Sequence, residues 1–282
     1  MKALAERKPV MFGIVSTIVI FALYALVSMG LYGLVAPLLG STSGFLIGGA
    51  VRIVFAVLTI ILLGFIIKGS GFKFTFSTQG FAKSMFAGIP ILIYILTLTI
   101  PLFINISKIN SAFISSIPAN IFQQIATGIF EESLFRGLLM TALIVRFCDK
   151  LKGRFLTVYL CGLVFGLLHF GNAFTSGAGY GNISAALSTA LGLALPGIAF
   201  AVVYLYSKNL LGCMILHALY DIISGMYSGL AAGTVNETVF QVTQSVSSLI
   251  LLAMPLLVIP WIIKAKKVFV TTQPVRQSAG KV

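Results

Sequence analysis

Charge is what this sequence has least of. Only 9% of its 282 residues are charged, against about 25% in an ordinary soluble domain. With 59% hydrophobic residues, that shortage excludes a soluble globular enzyme. Cysteine is scarce too. Cys148, Cys161 and Cys213 form no CxxC pair, which argues against both a disulfide framework and a thiolate metal site. No clear internal repeat is visible, which weakens a transporter built from matching halves. The net charge of +13 would suit a nucleic-acid partner, but the placement of the basic residues gives it another meaning.

Eight apolar runs are long enough to span a bilayer. They lie at about 11–36, 44–67, 84–106, 121–145, 155–171, 183–206, 209–230 and 241–263. Runs this long and this uniformly apolar predict helices rather than barrel strands. The expected fold class is therefore all-α: a polytopic membrane protein of about eight transmembrane helices. The first run follows Lys2, Arg7 and Lys8 and has no small-x-small cleavage site, so it reads as a retained anchor. Lys68, Lys73 and Lys83, then Arg146, Lys150, Lys152 and Arg154, then Lys208, then Lys264 and the residues after it, all fall on alternate connections. The other connections hold only Lys108. This loading predicts both termini on the cytoplasmic side and no nucleic-acid partner. The whole chain, 1–282, reads as one integral membrane domain, with a motif-bearing core at about 121–225 and a short basic tail at 265–282. Residues 171–181 (GNAFTSGAGYG) form a glycine-rich outer connection, either a lid or a plain loop, with Asn172 at a helix end.

Three of the six acids, Glu131, Glu132 and Asp221, fall inside spans, and so do both histidines, His169 and His217. Each charge at mid-bilayer costs about 2.5–3.5 kcal/mol on insertion scales, so compensation is expected. Glu132 and Arg136 are i,i+4 and can pair on one helix face. Glu131 lies about 100° around the helix and can point elsewhere. Phe165 and His169 are i,i+4 on the fifth span, and His217 and Asp221 are i,i+4 on the seventh. Gly162 and Gly166 make a small-xxx-small pair that would admit a neighbouring helix. Arg52 is expected to snorkel to the nearer interface, the alternative being a site acid as its partner. Gln123 and Gln124 are expected at the outer interface. Helical rise puts Glu131 and His169 about 22–24 Å from the cytoplasmic ends of their spans, but His217 only about 12 Å. Their convergence would require tilt, a re-entrant segment or shifted boundaries.

The motifs EESLFR (131–136), FGLLH (165–169) and HALYD (217–221) follow the pattern EExxxR, FxxxH and HxxxN/D, in order and on separate spans. The chain thereby resembles the CPBP intramembrane protease family, which includes CAAX prenyl endopeptidases and bacteriocin-processing or immunity proteins. The resemblance covers about 121–225 and shows no departure at a motif position. It implies that Glu131, with His169, activates a water molecule. It also implies that Glu132 pairs with Arg136, and that His217 and Asp221 stabilise the oxyanion.

A glutamate beside an imidazole can take a proton from water. Two histidines and a carboxylate are equally a catalytic zinc set with an open position, so His169, His217 and Glu131 or Asp221 could be ligands of a divalent metal such as zinc. Both mechanisms have been attached to the family. The expected function is hydrolysis of a peptide bond in a membrane-associated or lipidated peptide. Membrane lipids are the other expected partner, and a bacterial cell membrane the expected location. The alternatives are a non-catalytic bacteriocin-immunity type of membrane protein and an ion-coupled transporter.

Overall fold

The computed structural model describes residues 2–70, 78–105, 111–170, 183–231 and 237–265. Lys73, Lys108, the connection 171–181 with Asn172, and tail residues 266–282 lie outside them. Every element among the described residues is helical. In chain order they are α1 (Lys2–Arg7), α2 (Pro9–Ser70), α3 (Phe81–Ala87), α4 (Ile89–Ile104) and α5 (Ser111–Glu132). A π-helical segment (Ser133–Met140) then runs into α6 (Thr141–Phe147). After it come α7 (Leu151–Leu168), α8 (Ile183–Ser207), α9 (Leu210–Ala231), α10 (Glu237–Leu257) and α11 (Ile259–Lys264).

Six stretches are long and apolar enough to cross a membrane, and the α3–α4 pair makes a seventh if read as one broken span. The expected span 121–145 runs through α5, the π-helical segment and α6. Its three central charges, Glu131, Glu132 and Arg136, set it apart from a plain apolar span. The first two expected spans share one helix, α2. At 1.5 Å per residue, Tyr24 and Phe55 would stand about 46 Å apart if that helix were straight. Their ring centroids are 5.8 Å apart, so the chain folds back between them and α2 supplies two packed segments.

The third expected span is not straight. It bends by 68° between α3 and α4. Gly88 sits at the break, and the leucine side chain of Leu216 occupies the place its Cβ would take. Pro90 opens α4 within its first turn, where the missing N–H costs nothing.

The small-residue pair on α7 works as the spacing predicts, and its neighbour is α8. A Cβ on Gly166 would overlap the Ala190 carbonyl oxygen, and one on Gly162 would press on the backbone of Ile198. Backbone cannot yield as a side-chain tip can, so Gly166→Ala should destabilise the protein by about 1–3 kcal/mol. A denaturant titration of the detergent-solubilised protein checks this, and an unchanged midpoint would mean that α7 and α8 pack more loosely than their geometry indicates.

Candidate active site

Three helical elements carry the three motifs to one place. On the first, Ser133 Oγ donates to the Ile129 carbonyl (2.6 Å), after which the helix widens into the π-helical segment. Such a segment leaves carbonyls out of the i→i+4 ladder. Here they find side-chain donors: Thr141 Oγ1 reaches the Arg136 carbonyl at 3.3 Å and Cys161 Sγ the Phe135 carbonyl at 3.5 Å.

Arg136 is fully buried, and both of its terminal nitrogens are engaged. Its Nη1 donates to Glu132 Oε1 at 2.8 Å and its Nη2 to the Gly197 carbonyl at 2.9 Å. Phe165 and Phe200 flank the guanidinium at 4.9 Å and 5.4 Å. The carboxylate of Glu132 has a second partner. His217 Nδ1–H donates to the same Oε1 at 2.6 Å. One oxygen thus joins α5, the π-helical segment and α9.

The last turn of α7 tightens, with the His169 and Phe170 amides donating to Gly166 and Leu167. The Phe165 carbonyl is left for the imidazole, and His169 Nδ1–H donates to it at 2.7 Å. A carbonyl can only accept, so the Nδ1 proton of His169 is fixed, as Glu132 fixes that of His217. Both Nε2 atoms therefore face the same space. Glu131 lies between them, with Oε1 3.5 Å from His169 Nε2 and Oε2 3.6 Å from His217 Nε2. Asp221 Oδ2 is also 3.6 Å from His217 Nε2. Gaps of this size are long for direct hydrogen bonds and leave both groups able to bind a water on their cavity side.

These groups line a cavity of about 320 Å³ whose walls include Gln124, Leu193, Pro196, Phe200, Tyr220 and Ser224. The side chains of Glu131 and Asp221 are 13% and 20% exposed, while Glu132 and Arg136 are at 0%. Two adjacent glutamates thus meet different surroundings, one walled in and one open to the cavity.

The structure brings together Glu131, His169, His217 and Asp221, with Glu132, Arg136 and Phe165 behind them. The depth mismatch disappears because the α8–α9 turn is not at the surface. Asn209 is buried, its Nδ2 donating to the Gln79 carbonyl at 2.8 Å, and Ser84 packs where a Gly212 Cβ would sit. Asn209 Oδ1 accepts the Gly212 amide at 2.7 Å, capping the start of α9. α9 thus starts beneath residues 79–84, and a histidine two turns along it lies deep.

One residue is added to the site and one expectation is corrected. Gln124 lines the cavity, because it is seven residues from Glu131 and shares its face. Arg52 does not snorkel outward. Its guanidinium stands 5.5 Å over the Tyr24 ring, which packs on Phe130 at 4.6 Å, and its charge bears on both Glu131 and Asp221. The folded-back half of α2 supplies the aromatic face that holds it. Phe200, stacked on His217 at 4.7 Å and 18°, and the Gly197 carbonyl are further parts of the site. Only Pro196-Gly197 within an apolar run hinted at them.

For a metal, the donor types are right: two Nε2 atoms with their Nδ1–H groups held by acceptors, and carboxylates beside them. Among the described residues, however, no three of the His, Cys, Asp and Glu side chains are grouped around one point that an ion could occupy.

Residues 113–223 match the family model described as type II CAAX prenyl endopeptidase Rce1-like. The match contains all three motifs and agrees with the family that they suggest. No curated protein and no solved structure matches the chain.

Proposed function

We propose, from the premise that residues 113–223 form a type II CAAX prenyl endopeptidase Rce1-like region, that this chain is an intramembrane endopeptidase. Its substrate would be a membrane-associated or lipidated peptide. The observation that carries this reading is the Glu131 carboxylate held between two imidazole Nε2 atoms at the wall of a cavity large enough for a peptide segment.

Water bound in the cavity against both Glu131 and His169 loses a proton to Glu131 as its oxygen attacks the scissile carbonyl carbon. The carbonyl oxygen takes up the electron pair of the broken π bond. His217 in its imidazolium form keeps Nδ1–H on Glu132 and offers Nε2–H to that oxygen, while Asp221 steers the ring. Collapse breaks the C–N bond, and Glu131 returns its proton to the leaving amine. Glu132 and Arg136 touch no reacting atom. They are positioning residues that fix the His217 ring and the helix bearing Glu131. The rings of Phe165 and Phe200 keep water from the ion pair.

No step passes through a metal. The zinc alternative, with His169, His217 and Glu131 as ligands, rests on the donor types. The positive-inside loading of the connections supports cytoplasmic termini.

The test is cleavage by the detergent-purified protein of a panel of lipidated and membrane-spanning peptides, with and without a chelator, read by mass spectrometry of the fragments. Site-specific cleavage that persists in chelator is expected. Loss in chelator with recovery on adding zinc would transfer the same residues to a metalloprotease. A folded, reconstituted protein that cleaves none of the panel would favour the immunity-type alternative.

A further inference from the structure

At the junction of α1 and α2, away from the catalytic cavity, a second cavity of about 500 Å³ opens between Arg7, Lys8 and Arg146. All three are exposed, and among the described residues none has a carboxylate within 4 Å. Glu6 and Asp149 are the nearest acids in sequence, and neither lines the opening. Below the three charges the wall becomes apolar. Ile14 then forms part of a further trough of about 290 Å³, bounded by Ile18 of α2, Leu139 of the π-helical segment and Leu143 of α6. Ile14 lines both spaces, so mouth and trough adjoin along one face of α2. Ile18 is 55% exposed, so the trough opens on the face that meets lipid.

We infer that the two together are a binding site for an anionic phospholipid, with the phosphate in the Arg7–Lys8–Arg146 mouth and an acyl chain along the trough. A free anion would use the mouth and leave the trough empty. A zwitterionic lipid would fill the trough but carry a choline or ethanolamine cation towards three like charges. Only an anionic lipid matches both parts, and basic recesses between membrane helices have this preference in general. The trough's floor includes Leu139, on the same short segment as Arg136, so an acyl chain there packs against the element that anchors the catalytic cluster.

The experiment is native mass spectrometry of the full chain in detergent, titrated separately with phosphatidylglycerol, phosphatidylcholine of the same acyl chains, and inorganic phosphate. One phosphatidylglycerol should bind at least tenfold more tightly than phosphatidylcholine, and phosphate should not bind. The triple variant Arg7→Gln/Lys8→Gln/Arg146→Gln should weaken phosphatidylglycerol about a hundredfold and leave phosphatidylcholine unchanged. If the triple variant does not fold, Arg146→Gln alone should weaken it about fivefold. Ile18→Trp, which fills the trough without altering charge, should also weaken phosphatidylglycerol. Equal affinity for the two lipids, or undiminished phosphatidylglycerol binding by the charge variants, would overturn the site. Phosphate binding as tightly as phosphatidylglycerol would overturn the lipid assignment. The readout is binding, so it stands apart from the proposed proteolysis.

Discussion

Glu131→Gln should remove peptide cleavage, lowering kcat by at least about a hundredfold and by up to about ten-thousandfold, while the protein stays folded. The side chain keeps its shape and loses only the ability to accept and return a proton. No short hydrogen bond depends on its charge. Its nearest partners, the two Nε2 atoms, are 3.5 and 3.6 Å away, whereas the short carboxylate contacts of the cluster both belong to Glu132. Unfolding midpoints should therefore agree within about 1 kcal/mol, the range of a change that breaks no short hydrogen bond. Parallel measurement of kcat and of the midpoint decides the matter. A variant that still cleaves at the parental rate would remove Glu131 from the chemistry. One that unfolds would make it a structural residue, and the division of labour between the adjacent glutamates would be wrong.

The opposite profile is expected one residue later. Glu132→Gln should cost about 3–5 kcal/mol of stability, because Arg136 would be left as an uncompensated buried charge. His217 would also lose the charge-assisted acceptor that fixes its ring, so activity should fall in whatever fraction remains folded. Arg136→Met should be similarly damaging, since it strands Glu132. The double variant Glu132→Gln/Arg136→Met should be less destabilised than the sum of the two, as in any cycle across a buried pair. Additive losses would mean that the two side chains stand as independent structural elements despite their 2.8 Å separation.

Much of this site could be read from the chain because helices make it simple to read. Residues four apart share a face, so Glu132 with Arg136, Phe165 with His169 and His217 with Asp221 could be placed side by side from numbering alone. The same rule separates Glu131 from Glu132. Hydrophobic length and the alternation of basic residues similarly gave about the right number of spans. What escaped is tertiary. The hydrogen bond from Arg136 to the Gly197 carbonyl links elements sixty-one positions apart, and no local pattern encodes it. The buried α8–α9 turn depends on Asn209 meeting Gln79, and so a depth computed from the surface inward was wrong for His217. Widening at Ser133–Met140 has no composition of its own. The direction of Arg52 was missed because Tyr24 reaches it only once α2 has folded back.

The sharing of one Glu132 oxygen by Arg136 and His217 has a consequence for biogenesis. As the chain enters the bilayer in order, the α5 region arrives before α9. At that moment Glu132 has its partner already aboard, four residues along, and the two cross as a neutral unit. Glu131 has no such neighbour on its own helix: its histidines are on α7 and α9, and only the more distant charge of Arg52 on α2 precedes them. The nascent protein therefore carries one acid without its imidazoles until α7 and α9 dock, and docking is rewarded by supplying them. The group proposed to break peptide bonds in the finished molecule would, during assembly, draw α7 and α9 into place.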